Sequence, residues 1–127
     1  MVTDPIADLL TRIRNAVKAK HSTTRIAYSK LKLAILQVLK NHQFVTDYSV
    51  VKTDRFQEIE IHLNPTFQSL HLKRVSKPGQ RIYVKKGELK PVLNGYGIGI
   101  ISTPKGMMTT IEARKTGLGG ELICEVW

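Results

Sequence analysis

The last third of the chain, GYGIGIISTPKGMMTTIEARKTGLGGELICEVW, constrains the fold most tightly. Within it an apolar strand, Gly97 to Ile101, runs into a short loop of hydroxyls, proline, lysine and glycine: Ser102, Thr103, Pro104, Lys105 and Gly106. Thr109 and Glu112 then stand at capping-box spacing and open a short helix, since each can satisfy one free amide of a first helical turn. Gly117 to Gly120 breaks that helix, and Glu121 to Trp127 forms a final strand. A strand that delivers small hydrogen-bonding side chains to a loop tip builds a probe for a polar surface.

The first half follows a different pattern. Asp4 and Pro5 predict a helix start, the acid accepting from free amides and the proline preset for the first turn. Ile6, Leu9, Leu10, Ile13 and Val17 make one apolar stripe at helical spacing. Arg25 to Tyr28 reads as a short strand. Ser29 caps a second helix that turns Leu31, Ala34, Ile35, Val38 and Leu39 inward, and Asn41 ends its periodicity. Phe44 to Val51 reads as a strand. Ile59, Ile61 and Leu63 alternate with Glu58, Glu60 and His62, which specifies a half-buried strand. Asn64 and Pro65 mark a lobe boundary. Beyond it, Leu70 to Val75 and Arg81 to Val84 read as strands around a Lys77-Pro78-Gly79 turn, and Pro91 to Leu93 as one helical turn. The expected class is α+β. Residues 1–65 form an N-terminal α-β-α-β-β lobe and residues 66–127 a lobe of mostly antiparallel strands with a short helix.

Charge narrows the choice of partner. Twenty Lys and Arg against ten Asp and Glu give a net charge of +10, which attracts polyanions. Nucleic acid, an anionic membrane and an acidic protein all remain open on charge alone. Lys73, Arg74, Lys77, Arg81, Lys85, Lys86 and Lys90 crowd one segment opposed only by Glu88. Some can simply protect an edge strand, yet their density favours an electrostatic footprint for nucleic acid. Aromatic residues are 6% of the chain, too few for a binder that stacks base after base on rings. No apolar run reaches membrane-spanning length. The acidic start of MVTDPIADLL is unlike a signal or transit peptide, so the expectation is an intracellular, soluble protein.

Catalytic chemistry is not apparent. The lone Cys124 lies in an apolar run and reads as a buried, inert thiol. His21, His42, His62 and His71 stand at unrelated spacings, with no zinc pattern among them. Gly95, Gly97 and Gly99 do not match G-x-G-x-x-G, and a strand follows where that motif needs a helix. They fit better as points of close backbone approach. Ser102 or Cys124 as the nucleophile of a small hydrolase or transferase lacks an oriented base.

Three blocks together carry a resemblance. Thr3-Asp4-Pro5-Ile6-Ala7-Asp8 with Thr11-Arg12-Ile13-Arg14-Asn15-Ala16 is the first, and Arg74-Val75-Ser76-Lys77-Pro78-Gly79 the second. The third is Gly97-Ile98-Gly99-Ile100-Ile101-Ser102-Thr103, Lys105-Gly106, Ala113-Arg114-Lys115 and Gly119-Gly120-Glu121. In this order and spacing the chain resembles bacterial-type small-subunit ribosomal protein eight across nearly its whole length. Between Asn41 and Gln68 it matches only in general pattern.

The resemblance implies two tightly associated α+β lobes and no enzymatic activity, cofactor or metal. It implies a primary binder of the central domain of small-subunit ribosomal RNA that promotes assembly among neighbouring ribosomal proteins. It also implies repression of translation through the operon's own messenger RNA. Such a protein is a monomer outside the ribosome. It works in the cytoplasmic ribosome, or in the stroma or matrix if encoded by an organelle. The alternative is a regulatory module that binds RNA or DNA outside the ribosome.

Ser102 and Thr103 fall in the family's hydroxyl loop, which implies that they enter the minor groove of an RNA helix beside Lys105. Double-stranded RNA exposes 2′-hydroxyls there, and a serine or threonine hydroxyl both donates and accepts. Pro104 and Gly106 shape that loop, and Gly119, Gly120 and Glu121 brace it. The family usually has a second serine where this chain has Pro104, so one hydrogen bond expected of the family cannot form in the same way. Thr3, Asp4 and Lys30 are expected near the RNA backbone, although helix capping accounts for Asp4 without RNA. Lys77, Arg81 and Lys85 are the candidates for phosphate contact. Tyr83 is placed either against sugar or base or in edge packing.

Overall fold

A computed structural model describes residues 4–85, 87 and 97–127. The expected turn at Pro91–Leu93, together with Thr3, Lys86, Lys90 and Gly95, lies outside the described residues. Backbone contacts divide the chain into two units, Pro5–Leu70 and Met1–Asp4 with His71–Trp127.

The Pro5–Leu70 unit contains α1 (Pro5–Lys18), β1 (Thr23–Ala27), α2 (Lys30–Asn41), β2 (Val45–Lys52) and β3 (Gln57–Leu63). Helix α1 buries Ile6, Leu9, Leu10, Ile13, Ala16 and Val17, the predicted stripe with one alanine added. The three strands form an antiparallel sheet in the order β1-β3-β2. Ile59 lies opposite Ile26 and Val50, and Ile61 opposite Thr24 and Tyr48. The period-two pattern therefore sends Ile59, Ile61 and Leu63 to the buried face, where all three are nearly or fully inaccessible.

Helix α2 corrects the expected face. Ser29 caps it, accepting from the Lys32 amide at 3.2 Å. Leu31, expected inside, is 45% exposed, Ala34 is only half-buried, and Leu36 is fully buried. The position facing inward at the first turn is Lys32. Its stem is buried and its ammonium donates to the Ala27 carbonyl at 2.9 Å. A charged residue looks like a surface residue in a sequence pattern. Here its aliphatic chain packs like a hydrophobe while one backbone carbonyl satisfies the charged end.

The second unit holds β4 (Leu72–Arg74), β5 (Tyr83–Val84), β6 (Ile98–Thr103), β7 (Gly106–Thr109), α3 (Thr110–Thr116) and β8 (Gly120–Val126). Its sheet runs β4-β8-β6-β7, with β5 also on β8. Strand β6 occupies one edge of β8, while β4 and β5 lie end to end along the other. Between them the chain continues on the same edge, with Val75 N donating to Ile123 O and Ser76 N to Leu122 O. It then leaves in the Lys77–Gln80 turn, closed by two reciprocal bonds of 2.9 Å, and rejoins where Leu122 N donates to Ile82 O. The buried Ser76 hydroxyl ties the two ends of this excursion, accepting from Ile82 N at 2.8 Å.

Two differences from the sequence reading bear on function. Ser102 and Thr103 are strand residues, not loop residues, and β7 was not anticipated. The reversal needs only Pro104 and Lys105, because Thr103 pairs directly with Gly106. Hydroxyl side chains suggest a loop, but threonine fits a pleated, half-buried surface well. Helix α3 begins at the expected cap, Glu112 N donating to Thr109 Oγ1 at 3.2 Å. It packs against β6, where Ile101 and Ala113 are fully buried with Val84 and Met108 against them. A side chain at Gly99 would place its Cβ 2.7 Å from the Thr110 methyl, so glycine admits the helix.

Candidate nucleic-acid interface

The β6–β7 hairpin gives its two adjacent hydroxyls different surroundings. Thr103 Oγ1 donates to the Gly106 carbonyl at 2.8 Å and accepts from the Lys105 amide at 3.2 Å. At 8% exposure it is a bracket inside the turn. Pro104 occupies the first central position, where a preset φ helps and no amide hydrogen is needed. Gly106 closes the turn at a φ of +116°, a conformation that disfavours any side chain. The half-buried Ser102 sits opposite Met107 on one side and Glu121 on the other. Its hydroxyl makes no hydrogen bond to a described residue.

Strand register extends this row. Tyr83 lies opposite Glu121, which lies opposite Ser102, which lies opposite Met107. Directly opposed residues share a sheet face, so phenol, carboxylate, hydroxyl and thioether stand side by side. Tyr83 is 70% exposed. Glu121 is mostly covered and receives Arg81 Nη1 at 3.1 Å. That hydrogen bond raises the Arg81 guanidinium above its ordinary range and offsets a carboxylate that would otherwise repel phosphate. Next to Glu121, a Cβ at Gly120 would come 2.0 Å from the Ser102 carbonyl oxygen. Only glycine lets β6 approach this closely, so Gly120 sets where Ser102 stands. Gly119 precedes it, half-buried.

The remaining candidates are distributed more widely. Lys77 is exposed on its turn, Lys105 at the hairpin tip and Lys85 just past β5. Arg74 is half-buried instead, its side chain largely covered. Its Nε lies 3.0 Å from Asp4 Oδ2, and its Nη1 donates to the Ile123 carbonyl at 2.8 Å. Asp4 therefore holds an arginine of its own unit, and one of the clustered cations is structural. Lys30 is the exposed first residue of α2, in the Pro5–Leu70 unit. Met107 and Ser76 were not singled out from the sequence. Met107 lies on the unanticipated strand, and the role of Ser76 depends on which strands flank β8.

Burial pushes the Cys124 thiol up to about 12. It is fully inaccessible in the middle of β8, which removes it as a nucleophile. Among the described residues, no group of three or more His, Cys, Asp and Glu side chains could hold a metal ion.

Comparison with known proteins identifies the family. The family model for ribosomal protein S8 matches residues 4–127. The small ribosomal subunit protein uS8 of Caldicellulosiruptor bescii is 50% identical over 130 residues, covering 99% of this chain and 98% of the relative. The protein of the same description from Desulforudis audaxviator is 49% identical, and that from Thermus aquaticus 45%, each over the full length of both chains. A full-length match of this closeness, on a chain whose strands assemble the hydroxyl row described above, places it in the ribosomal protein S8 family, a family of structural, non-enzymatic proteins.

Proposed function

We propose that the chain, a structural constituent of the small ribosomal subunit, binds the central domain of small-subunit RNA through its β6–β7 hairpin. The observation that carries this reading is the division of work between Thr103 and Ser102. One hydroxyl fixes the turn, and the other is presented without a described partner on a rigid strand. A fixed hydroxyl that donates and accepts suits the shallow minor groove of an RNA helix, where 2′-hydroxyls are displayed. Tyr83 lies two strands away on the same face and supports a contact to sugar or base. Lys77, Lys85 and Lys105 supply phosphate contacts, while Arg81 keeps Glu121 neutralised. By the family resemblance, Thr3, Asp4 and Lys30 lie near the RNA backbone.

Early docking of so small a protein organises the RNA for later proteins of the subunit. The same surface recognises a similar helix in the protein's own operon messenger and so represses its translation. Free of RNA, the protein is a monomer, held apart by its net charge of +10.

Titration of a cognate RNA helix tests the central claim. Ser102→Ala is expected to weaken binding about fivefold, the worth of one net hydrogen bond, and to leave binding to a scrambled helix unchanged. Equal affinity of wild type and variant for the cognate helix would sink the proposal.

A further inference from the structure

The Phe56 ring is 61% exposed at the tip of the β2–β3 hairpin. Thr53 closes the turn beneath it. The Thr53 amide and hydroxyl each donate to the Phe56 carbonyl at 2.9 Å, and the Phe56 amide donates back to Thr53 Oγ1 at 3.4 Å. The ring is thus presented from a braced turn. Lys52 and Arg55 flank it, both exposed and neither in an ion pair with a described residue. Register adds a third cation. Ala27 pairs with Glu58, and the Tyr28 amide donates to the Gln57 carbonyl at 3.1 Å. The end of β1 and the start of α2 therefore reach the same end of the sheet as the tip. Exposed Lys30 opens α2 there, and the helix dipole adds positive potential. Of the carboxylates close by, Glu58 has Arg25 at 3.9 Å, which leaves Asp54 alone against three cations.

We propose that the β2–β3 tip and the start of α2 form a second RNA contact, in which Phe56 stacks on an unpaired base while Lys30, Lys52 and Arg55 take the flanking phosphates. An exposed ring among cations is the arrangement that grips single-stranded nucleotides, since stacking is tolerant of sequence and phosphate supplies the charge. A basic protein segment would be repelled here. The turn residues around the ring are Lys52, Thr53, Asp54 and Arg55, so the tip itself does not extend the ring into an apolar patch. The contact rests on the RNA-binding reading of the protein but not on the β6–β7 hairpin.

The test uses the full chain and two RNAs: a short duplex fragment sufficient for the β6–β7 hairpin, and complete small-subunit RNA with its unpaired nucleotides. Phe56→Ala is expected to bind the fragment like wild type and the complete RNA about tenfold more weakly, with Phe56→Tyr restoring affinity. Lys52→Gln with Arg55→Gln should flatten the salt dependence on the complete RNA by about 1.4 in log–log slope, the share of two phosphates. Unchanged affinity of Phe56→Ala for the complete RNA overturns the proposal. So does an equal loss on both RNAs, or reduced incorporation into subunits with RNA affinity intact, which would assign the tip to a protein. Wild type that binds the complete RNA but not the fragment sinks the hairpin reading alone. Wild type that binds neither sinks both.

Discussion

Removing the Thr103 hydroxyl while keeping the side chain's shape separates its two bonds from its packing. Thr103→Val loses the bonds to Gly106 and Lys105 and is expected to cost about 1–2 kcal/mol. Thr103→Ser should recover most of that, as read by urea denaturation. Identical midpoints for all three would show that the turn does not depend on the hydroxyl. The hydroxyl pair was visible in the sequence, but the difference between its members was not. Which hydroxyl is consumed depends on where the hairpin closes, and that is decided by pairing with β7. Cys124 was legible from its apolar neighbours alone. Its thiol is pushed up to about 12 by burial, from an ordinary value of 9.0. Because the folded value is the higher, the unfolded chain releases this proton first. The stability it contributes is complete below about pH 9 and is lost as the pH climbs towards 12. Denaturation midpoints measured at about pH 8 and 10.5 should fall further for wild type than for Cys124→Ala; equal falls would contradict the assignment.

Each of the three described helices ends with a residue in left-handed conformation, but only one of the three is glycine. Gly117 closes α3 at a φ of 72°, while Lys20 closes α1 at 60° and Gln43 closes α2 at 64°. The bonds are of one kind in each: Leu118 N to Ala113 O, His21 N to Ala16 O and Phe44 N to Leu39 O. A side chain in this conformation costs free energy that glycine avoids. Gln43→Gly is therefore expected to stabilise the protein by about 0.5–1 kcal/mol, after its own loss of chain entropy. That corresponds to a rise of roughly 3 °C in thermal midpoint, and a lower midpoint would show that the Gln43 side chain has packing worth more than the strain. Glycine made the end of α3 readable, and Asn41 marked the end of α2. The two non-glycine caps left no signal, because their hydrogen bonds are made by backbone whatever the residue. Helix α1 was readable because its stripe is unbroken. Helix α2 was misread at one turn because Lys32 buries its stem.

At the scale of the molecule, ten excess positive charges on 127 residues should make RNA binding strongly dependent on salt. With about three or four phosphates contacted, affinity is expected to fall roughly thirty- to hundredfold between 50 and 200 mM salt. Filter binding at several concentrations measures this, and a flat profile would rule out a phosphate contribution. The class, α+β with antiparallel sheets, could be read from where period two replaces the helical period along the chain. The row of Tyr83, Glu121, Ser102 and Met107 could not. Those residues are distant in sequence, and they meet only because β5, β6 and β7 settle in one register around β8. Strand β8 is also the last of these to be made. Strands β4, β5 and β6 all hydrogen-bond to it, and no described strand substitutes for it. On a translating chain, the earlier strands must therefore wait, without a common neighbour, until Gly120–Val126 emerges. The row of Tyr83, Glu121, Ser102 and Met107 comes together only once that strand has emerged, so a truncated copy lacking Gly120–Val126 would have no such surface to offer an RNA.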